Sequence, residues 1–184
     1  RYLIASCEYV ARVVKIDVAN RKVIGYLPLE KGGMPQDVKT SPDGKVFYVA
    51  DMMANGIYLI DPYTFTRIGF IETGKGTHGL YVSRDSKTLY ITNRLEGSIS
   101  LLDLATRELT AKWKIPSGGS PDMGGVSADG KTLWISGRYN SEIYAFDTTD
   151  GHLAARIKTG RGPHGLCVYP QPGRYSLGHT GVFR

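Results

Sequence analysis

The sequence predicts an all-β protein: a β-propeller of four-stranded antiparallel blades, with about four blades present in an incomplete ring. A segment of 42 to 44 residues recurs along the 184-residue chain, which is the repeat length of propeller blades. Apolar and polar residues alternate in short runs, the period of a β-strand, and no run has the spacing of an amphipathic helix. The third run of each copy ends in an aspartate, at Asp17, Asp61, Asp103 and Asp147.

Each repeat is predicted to hold four strands, counted outward from the channel. The first is short and made of small residues, at 37–41, 80–83, 125–127 and 166–169. A Ser-Pro-Asp-Gly turn or a variant of it leads into a second, Tyr-rich strand, because such turns favour tight hairpins. The third strand ends in the aspartate, whose side chain can accept amide hydrogens of the next turn. The fourth mixes charged and apolar residues, as a half-exposed edge strand does.

These strands define one domain with predicted boundaries inside it. The expected units are a partial blade at 1–35, blades at 36–78, 79–121 and 122–164, and a partial blade at 165–184. The first copy begins at its second strand, and the last stops after its second strand at 174–180. We therefore expect the C-terminal portion of a longer propeller. The alternative is edge-to-edge association of two copies, since an unpaired blade edge can pair with another chain.

Composition narrows the classes of partner. The net charge is +6, but the basic residues are scattered over turns and outer strands, as on a solvated surface, so nucleic acid is not the expected partner. Affinity for polyanions in general is the weaker alternative. Apolar stretches are far shorter than the roughly 20 residues of a membrane-spanning helix, so no span is expected. Cys7 and Cys167 fall out of register with each other, which predicts two free, mostly buried thiols.

The strand sequences carry a family resemblance. Tyr90-Ile91-Thr92-Asn93, with its counterparts in the other repeats and the Ser-Pro-Asp-Gly-Lys turn, resembles the YVTN family of β-propeller repeats. The family includes cell-surface and periplasmic proteins, seven-bladed lactonases, and propeller subunits of redox enzymes whose haem or quinone cofactors lie elsewhere. The resemblance implies a periplasmic, cell-surface or secreted protein. It leaves the activity open, because a fold does not determine a function.

Two sets of loops are expected to meet around the channel on one face, where propellers gather ligand sites. In the loops before the first strands, His78 and His164 occupy equivalent places, with Gln36 and Asp122 at or next to the same point in the other repeats. The histidines could bind a metal or act as acid and base, or they could hydrogen-bond their loops and line a water-filled channel.

The second set joins the second and third strands and adds five candidates. Arg94 and Arg138 are at matching positions, so they could clamp a carboxylate or phosphate; pairing with Glu96 or Glu142 is the alternative. The remaining candidates in these loops are Glu8, Asp51 and Asn93. A metal at the histidines would draw its third ligand from Glu8, Asp51 or Asp122, or from residues outside this chain.

No recognisable catalytic motif accompanies these residues. Nucleophile elbow, P-loop, dinucleotide-binding and haem-attachment signatures are all missing from the sequence. The leading hypothesis is therefore a non-enzymatic propeller that binds a protein partner or a small ligand at the channel face, with no catalytic residue and no cofactor. The alternative is a metal-dependent, lactonase-like hydrolase, in which a divalent metal is held at the channel, or a propeller subunit of an oxidoreductase.

Overall fold

The computed structural model describes residues 2–30, 32–168, 175–177 and 181–183, and these ranges contain strands and turns without a helix. None of this part of the chain offers a helix long and apolar enough to cross a membrane. The strands are β1 (Tyr2–Cys7), β2 (Arg12–Asp17), β3 (Lys22–Pro28), β4 (Pro35–Thr40), β5 (Phe47–Asp51), β6 (Gly56–Asp61), β7 (Thr66–Glu72), β8 (Thr77–Val82), β9 (Thr88–Asn93), β10 (Ser98–Asp103), β11 (Leu109–Lys114), β12 (Pro121–Val126), β13 (Thr132–Gly137), β14 (Glu142–Asp147), β15 (Leu153–Lys158), β16 (Tyr175–Leu177) and β17 (Gly181–Phe183).

The strands form antiparallel sheets in chain order. A three-stranded sheet, β1-β2-β3, comes first, and three four-stranded sheets follow: β4-β5-β6-β7, β8-β9-β10-β11 and β12-β13-β14-β15. The inner strands of successive sheets pack against each other, β1 with β4, β4 with β8 and β8 with β12. Sheets that touch through their first strands are the blades of a propeller. The predicted fold class, a partial β-propeller, is confirmed.

Apolar cores lie between the sheets. Tyr48 and Ile57 of the second sheet pack against Leu80 and Ile91 of the third, and all four side chains are buried. A similar cluster joins the third and fourth sheets, and a smaller one joins the first and second. Burying a large apolar side chain contributes roughly 1.5–3 kcal/mol, so these clusters hold the blades at set positions around the channel.

Each inner strand of the complete sheets has a bulge near its start. In β4, Pro35 pairs with Asp51 while Val38 pairs with Val49, so β4 has one residue more than β5 over this stretch. β8 and β12 carry the bulge at the same place. A bulge re-aims the side chains within it. The bulged residues are Gln36 and Asp37 in β4, His78 and Gly79 in β8, and Asp122 and Met123 in β12.

The turns between β4 and β5 and between β6 and β7 lie at one end of their sheet, which we call the far end because the bulges lie at the other. The Oδ1 atom of Asp61 accepts hydrogen bonds from the amides of Tyr63 and Thr64 at 2.7 and 2.9 Å. Asp17, Asp103 and Asp147 accept amides in the same way. Ser41 Oγ accepts the amide of Val46 at 3.0 Å. These contacts confirm the predicted structural role of the turn residues.

The inner strands begin earlier than predicted. They start at Pro35, Thr77 and Pro121, so the blade boundaries drawn at 36–78, 79–121 and 122–164 shift by one or two residues. Gln36, His78 and Asp122 consequently lie on strands instead of loops. The reason is the bulge, which interrupts the alternation of side chains that marks a strand but keeps the chain paired with its neighbour.

The predicted partial blade at 165–184 also differs. Residues 166–168, expected to be a first strand, are not in a strand, and residue 169 lies outside the described residues. The expected second strand at 174–180 is a strand only at 175–177, with residues 174 and 178–180 outside the described residues, and β16 pairs with β17. Both cysteines are free, as predicted; Cys7 is half-buried, but Cys167 is exposed because its segment does not join a sheet.

Candidate functional site

Four polar side chains occupy one repeat position at the channel. Gln36, His78 and Asp122 are the first residues of the three bulges, and His164 has the same offset in the last repeat. The rings of His78 and His164 lie 6.2 Å apart at 76°, an edge-to-face arrangement. The two histidines, two blades apart in sequence, thus meet across the intervening Asp122.

Asp122 is the centre of the site. Its carboxylate is fully buried, and its Oδ1 atom lies 2.5 Å from Nη2 of Arg94 and 3.0 Å from Nδ1 of His78. Arg94 comes from the β9–β10 turn of the preceding sheet and is itself almost fully buried. A buried carboxylate needs a counterion, and a short charge-assisted hydrogen bond provides the strongest one. The pair therefore joins the third and fourth sheets at the channel.

The second carboxylate oxygen has a different environment. Asp122 Oδ2 lies 3.7 Å from Nη1 of Arg138 and 3.8 Å from Nε2 of His164, beyond hydrogen-bond distance, and it makes no hydrogen bond to the described residues. Arg138 and His164 are 37% and 46% exposed, whereas Arg94 and His78 are 7% and 1% exposed. The cluster thus has a buried layer, and a second layer that solvent reaches.

Burial and charge oppose each other at the two channel aspartates. Burial raises the pKa of Asp122, and the neighbouring Arg94, His164 and Arg138 counteract that rise. Burial raises the pKa of Asp37 to about 6, although Lys39 and the amide of Leu80 lower it. Asp37 Oδ2 accepts the Leu80 amide at 3.0 Å. Asp37 therefore links the second sheet to the third.

A cavity of about 570 Å³ opens above this cluster. Six of the predicted site residues line it: Glu8, Gln36, His78, Arg94, Arg138 and His164. Its wall also includes Ser6, Tyr9, Asp37 and Met123, which the sequence pattern did not single out. Asp37 follows Gln36 directly, so the extra residue of a bulge was the signal that could have found it. Tyr9 stands beside Glu8 in the turn after β1.

Two predicted site residues make structural hydrogen bonds instead and are not among the residues that line this cavity. Asp51 Oδ1 accepts the amides of Met34, Met53 and Ala54 at 2.9 to 3.1 Å. The amide group of Asn93 bonds to the hydroxyls of Ser98, Ser100 and Thr73. Both side chains are fully buried. Asn93 thereby fixes the end of β9 that precedes Arg94, and Asp51 fixes the β5–β6 turn and the chain just before β4.

Arg94 and Arg138 share one target. Each contacts Asp122, while Glu96 pairs with Lys112 and Glu142 pairs with Arg156 and Lys158. The structure therefore favours the convergent pair of arginines over the alternative of arginines paired with Glu96 and Glu142.

His78, Asp122 and His164 also meet the distance criterion for a metal site. Each offers one ligand atom, and these atoms lie within 4.8 Å of one another. Nitrogen and carboxylate ligands suit a divalent transition metal. However, Arg94 and Arg138 face the same carboxylate, and their positive charges would oppose a metal cation there. The donor set fits a metal by distance, but its electrostatic surroundings do not favour one.

Comparison with known proteins places the chain in a family. The YNCE-like beta-propeller description matches residues 3–174. The chain belongs to the YNCE-like β-propeller family. This match and the blade architecture confirm the propeller that the YVTN-like strands predict. No curated protein sequence matches the YNCE-like chain.

Solved structures share the fold. Hydrazine synthase of Kuenenia stuttgartiensis matches with a TM-score of 0.73 and 24% identity. The match covers 89% of the YNCE-like chain and 46% of the hydrazine synthase chain. Catalytically inactive virginiamycin B lyase of Staphylococcus aureus with quinupristin matches with a TM-score of 0.74 and 17% identity, and the match covers 89% of the YNCE-like chain and 55% of the lyase. Selenomethionine-substituted virginiamycin B lyase of Staphylococcus aureus matches with a TM-score of 0.72 and 17% identity. That match covers 85% of the YNCE-like chain and 52% of the lyase. The YNCE-like chain spans about half the length of these structures, and at such identities the likeness is one of fold.

Proposed function

We propose that this YNCE-like propeller is a binding protein whose channel mouth holds an anionic group, a carboxylate or a phosphate, of a small ligand. One observation carries the proposal: two guanidinium groups, Arg94 and Arg138, converge on the single carboxylate of Asp122. Asp122 pairs closely with Arg94, whereas the guanidinium of Arg138 lies beyond hydrogen-bond distance of Asp122 and lines the cavity.

Arg138 is the group that would contact the ligand. It is 37% exposed, lines the cavity, and lies too far from Asp122 for a hydrogen bond at 3.7 Å. A guanidinium presents parallel N–H groups that match the two oxygens of a carboxylate or phosphate. His164, also at the cavity wall, would add a ring N–H to the same anion. Arg94 and Asp122 would support this pair from beneath without touching the ligand.

The test is calorimetric titration of the protein with citrate and with inorganic phosphate at low salt. Arg138→Gln should weaken binding of the preferred anion about tenfold or more, the scale of a hydrogen bond to a charged group. Arg21→Gln is the matched control, because Arg21 is an exposed arginine on the β2–β3 turn at the far end. Equal binding by wild type and Arg138→Gln, or no binding of either anion, would refute the proposal.

A metal-dependent hydrolase is the second candidate, supported by the grouping of His78, Asp122 and His164. Titration with Zn²⁺, followed by lactone hydrolysis assays, distinguishes it from the anion site. A stoichiometric metal that is lost in His164→Ala would support the hydrolase. The positive charge of Arg94 beside Asp122 instead leads us to expect weak metal binding that strengthens in Arg94→Gln.

A further inference from the structure

The turns at the channel end of the sheets share a feature of their own. In the first four sheets, the turn between the second and third strands of the repeat carries a large apolar residue at one repeat position. These residues are Tyr9, Met53, Leu95 and Tyr139, and they are 84%, 58%, 59% and 63% exposed. Each is the second residue of its turn. The first residue of the turn is Glu8 in the first sheet and Arg138 in the fourth. We call these four side chains the apolar ring.

Single exposed apolar residues are common on protein surfaces and need no explanation. Four of them at one repeat position do, because turns otherwise favour Gly, Asn, Asp and Ser, and the backbone gains nothing from an apolar side chain there. In the channel-end turns, Asp51 accepts the Met53 amide and Ser120 accepts the Tyr139 amide, so the apolar side chains are not what fixes the turn backbone. The apolar ring therefore suits contact with a ligand rather than maintenance of the turn.

The cavity, whose wall includes Tyr9 of the apolar ring, has charges of both signs at its two sides. Glu8 stands in the β1–β2 turn of the first sheet, and Arg138 in the β13–β14 turn of the fourth. These are the outermost described sheets that contribute to the cavity wall, with Gln36 and His78 between them. A ligand that spans the cavity would meet a carboxylate at one side and a guanidinium group at the other. The volume of the cavity, about 570 Å³, falls in the range of small-ligand pockets.

We infer that the ligand is a short peptide with free ends and apolar side chains. Its carboxylate would bind Arg138 and His164, its ammonium group would face Glu8, and its side chains would pack on the apolar ring. This inference rests on the proposed anion site and names the ligand class for it. A peptide fits all three features at once: it carries opposite charges at its two ends, and its side chains project away from the backbone that joins them.

The probes are four peptides of matched length: Phe-Leu-Phe, its C-terminal amide, its N-acetyl form, and Ser-Gly-Ser. Phe-Leu-Phe should bind at least about tenfold more tightly than each of the others, since losing an ionic contact or the burial of two aromatic side chains has at least that effect. Arg138→Gln should weaken Phe-Leu-Phe but leave its amide unchanged. Glu8→Gln should weaken Phe-Leu-Phe but leave the N-acetyl form unchanged.

The apolar ring is tested by Tyr9→Ser, with Tyr63→Ser as the matched control. Tyr63 is 75% exposed on the β6–β7 turn at the far end, so it has the same side chain and similar exposure without a place in the apolar ring. Tyr9→Ser should weaken Phe-Leu-Phe several-fold and leave Ser-Gly-Ser and citrate unchanged. Tyr63→Ser should change nothing.

The possible outcomes distinguish a failure of the peptide inference from a failure of the proposed anion site. If citrate or phosphate binds through Arg138 but Phe-Leu-Phe binds no better than Ser-Gly-Ser, the peptide inference is overturned and the anion site stands. If decanoate binds more tightly than Phe-Leu-Phe, the apolar ring serves acyl chains and the inference is again overturned. If no anion binds at all, the proposed function itself has failed.

Discussion

The two ends of the blades differ in what repeats. At the far end, the same contacts recur from sheet to sheet: Asp61, Asp103 and Asp147 accept the amides of their turns, and Ser41 and Ser127 accept those of theirs. At the channel end the positions repeat but the residues vary, since Gln36, His78, Asp122 and His164 share one place. Identical chemistry at one end maintains the blade, while varied chemistry at the other builds a site.

The largest expected effect comes from the channel end. Asp122→Ala would leave Arg94, 7% exposed, buried without its counterion. Breaking a buried ion pair in this way costs about 3–5 kcal/mol of unfolding free energy, measurable by urea denaturation. The double variant Asp122→Ala/Arg94→Met should recover much of the loss, because no charge then stays buried. A single-variant loss below about 1 kcal/mol would mean that the pair behaves as a surface ion pair.

A second effect at the channel end depends on pH. The pKa of Asp37 in the folded protein, about 6, lies above its ordinary value of 3.8, so the folded state holds this proton more tightly. The stabilisation is therefore complete below pH 3.8 and is lost as pH rises through about 6. Asp37→Asn keeps an oxygen for the Leu80 amide but does not ionise.

Wild type should accordingly lose about 2 kcal/mol more than Asp37→Asn when the pH is raised from about 4 to about 7. The neighbouring charged groups Lys39 and Asp122 are present in both proteins. The control is Asp129→Asn, since Ser127 lowers the pKa of Asp129 and this acid stays ionised over the same interval. Parallel pH profiles for wild type and Asp37→Asn would contradict the assignment.

The far end should show a smaller effect, confined to stability. Ser41→Ala removes the acceptor for the Val46 amide, which is buried with it. The loss should be about 1 kcal/mol in unfolding free energy, the typical contribution of a buried hydrogen bond. Citrate and peptide affinities should stay unchanged. Altered binding in Ser41→Ala would show that the far end also shapes the site.

The smallest effect is expected at the surface pair of Lys112 and Glu96, 2.8 Å apart and 36% and 28% exposed. Lys112→Gln should change the unfolding free energy by at most about 0.5 kcal/mol, and high salt should abolish the difference. A larger change that resists salt would mean that this pair, although on the surface, is held as rigidly as the one at Asp122.

The prediction from sequence succeeded where contacts are local. The strands, their order and the aspartate turns follow from alternation and from side chains that bond two or three residues ahead, as Asp61 does with Tyr63 and Thr64. It was less accurate at the bulges, because an extra residue breaks alternation without breaking pairing. Asp51 and Asn93 illustrate the remaining difficulty: each was a candidate for the site, and each instead bonds to its own turn and neighbouring strands.

Sequence alone determined the blade period, the strand content and the repeat position on which the channel residues stand, because those properties depend on neighbours along the chain. Only the tertiary structure decided that Arg94, Arg138 and both histidines meet at Asp122. That meeting depends on how a bulge turns a side chain and on how closely neighbouring sheets pack, and both are set by contacts between different sheets, such as that of Arg94 with Asp122, 28 positions apart.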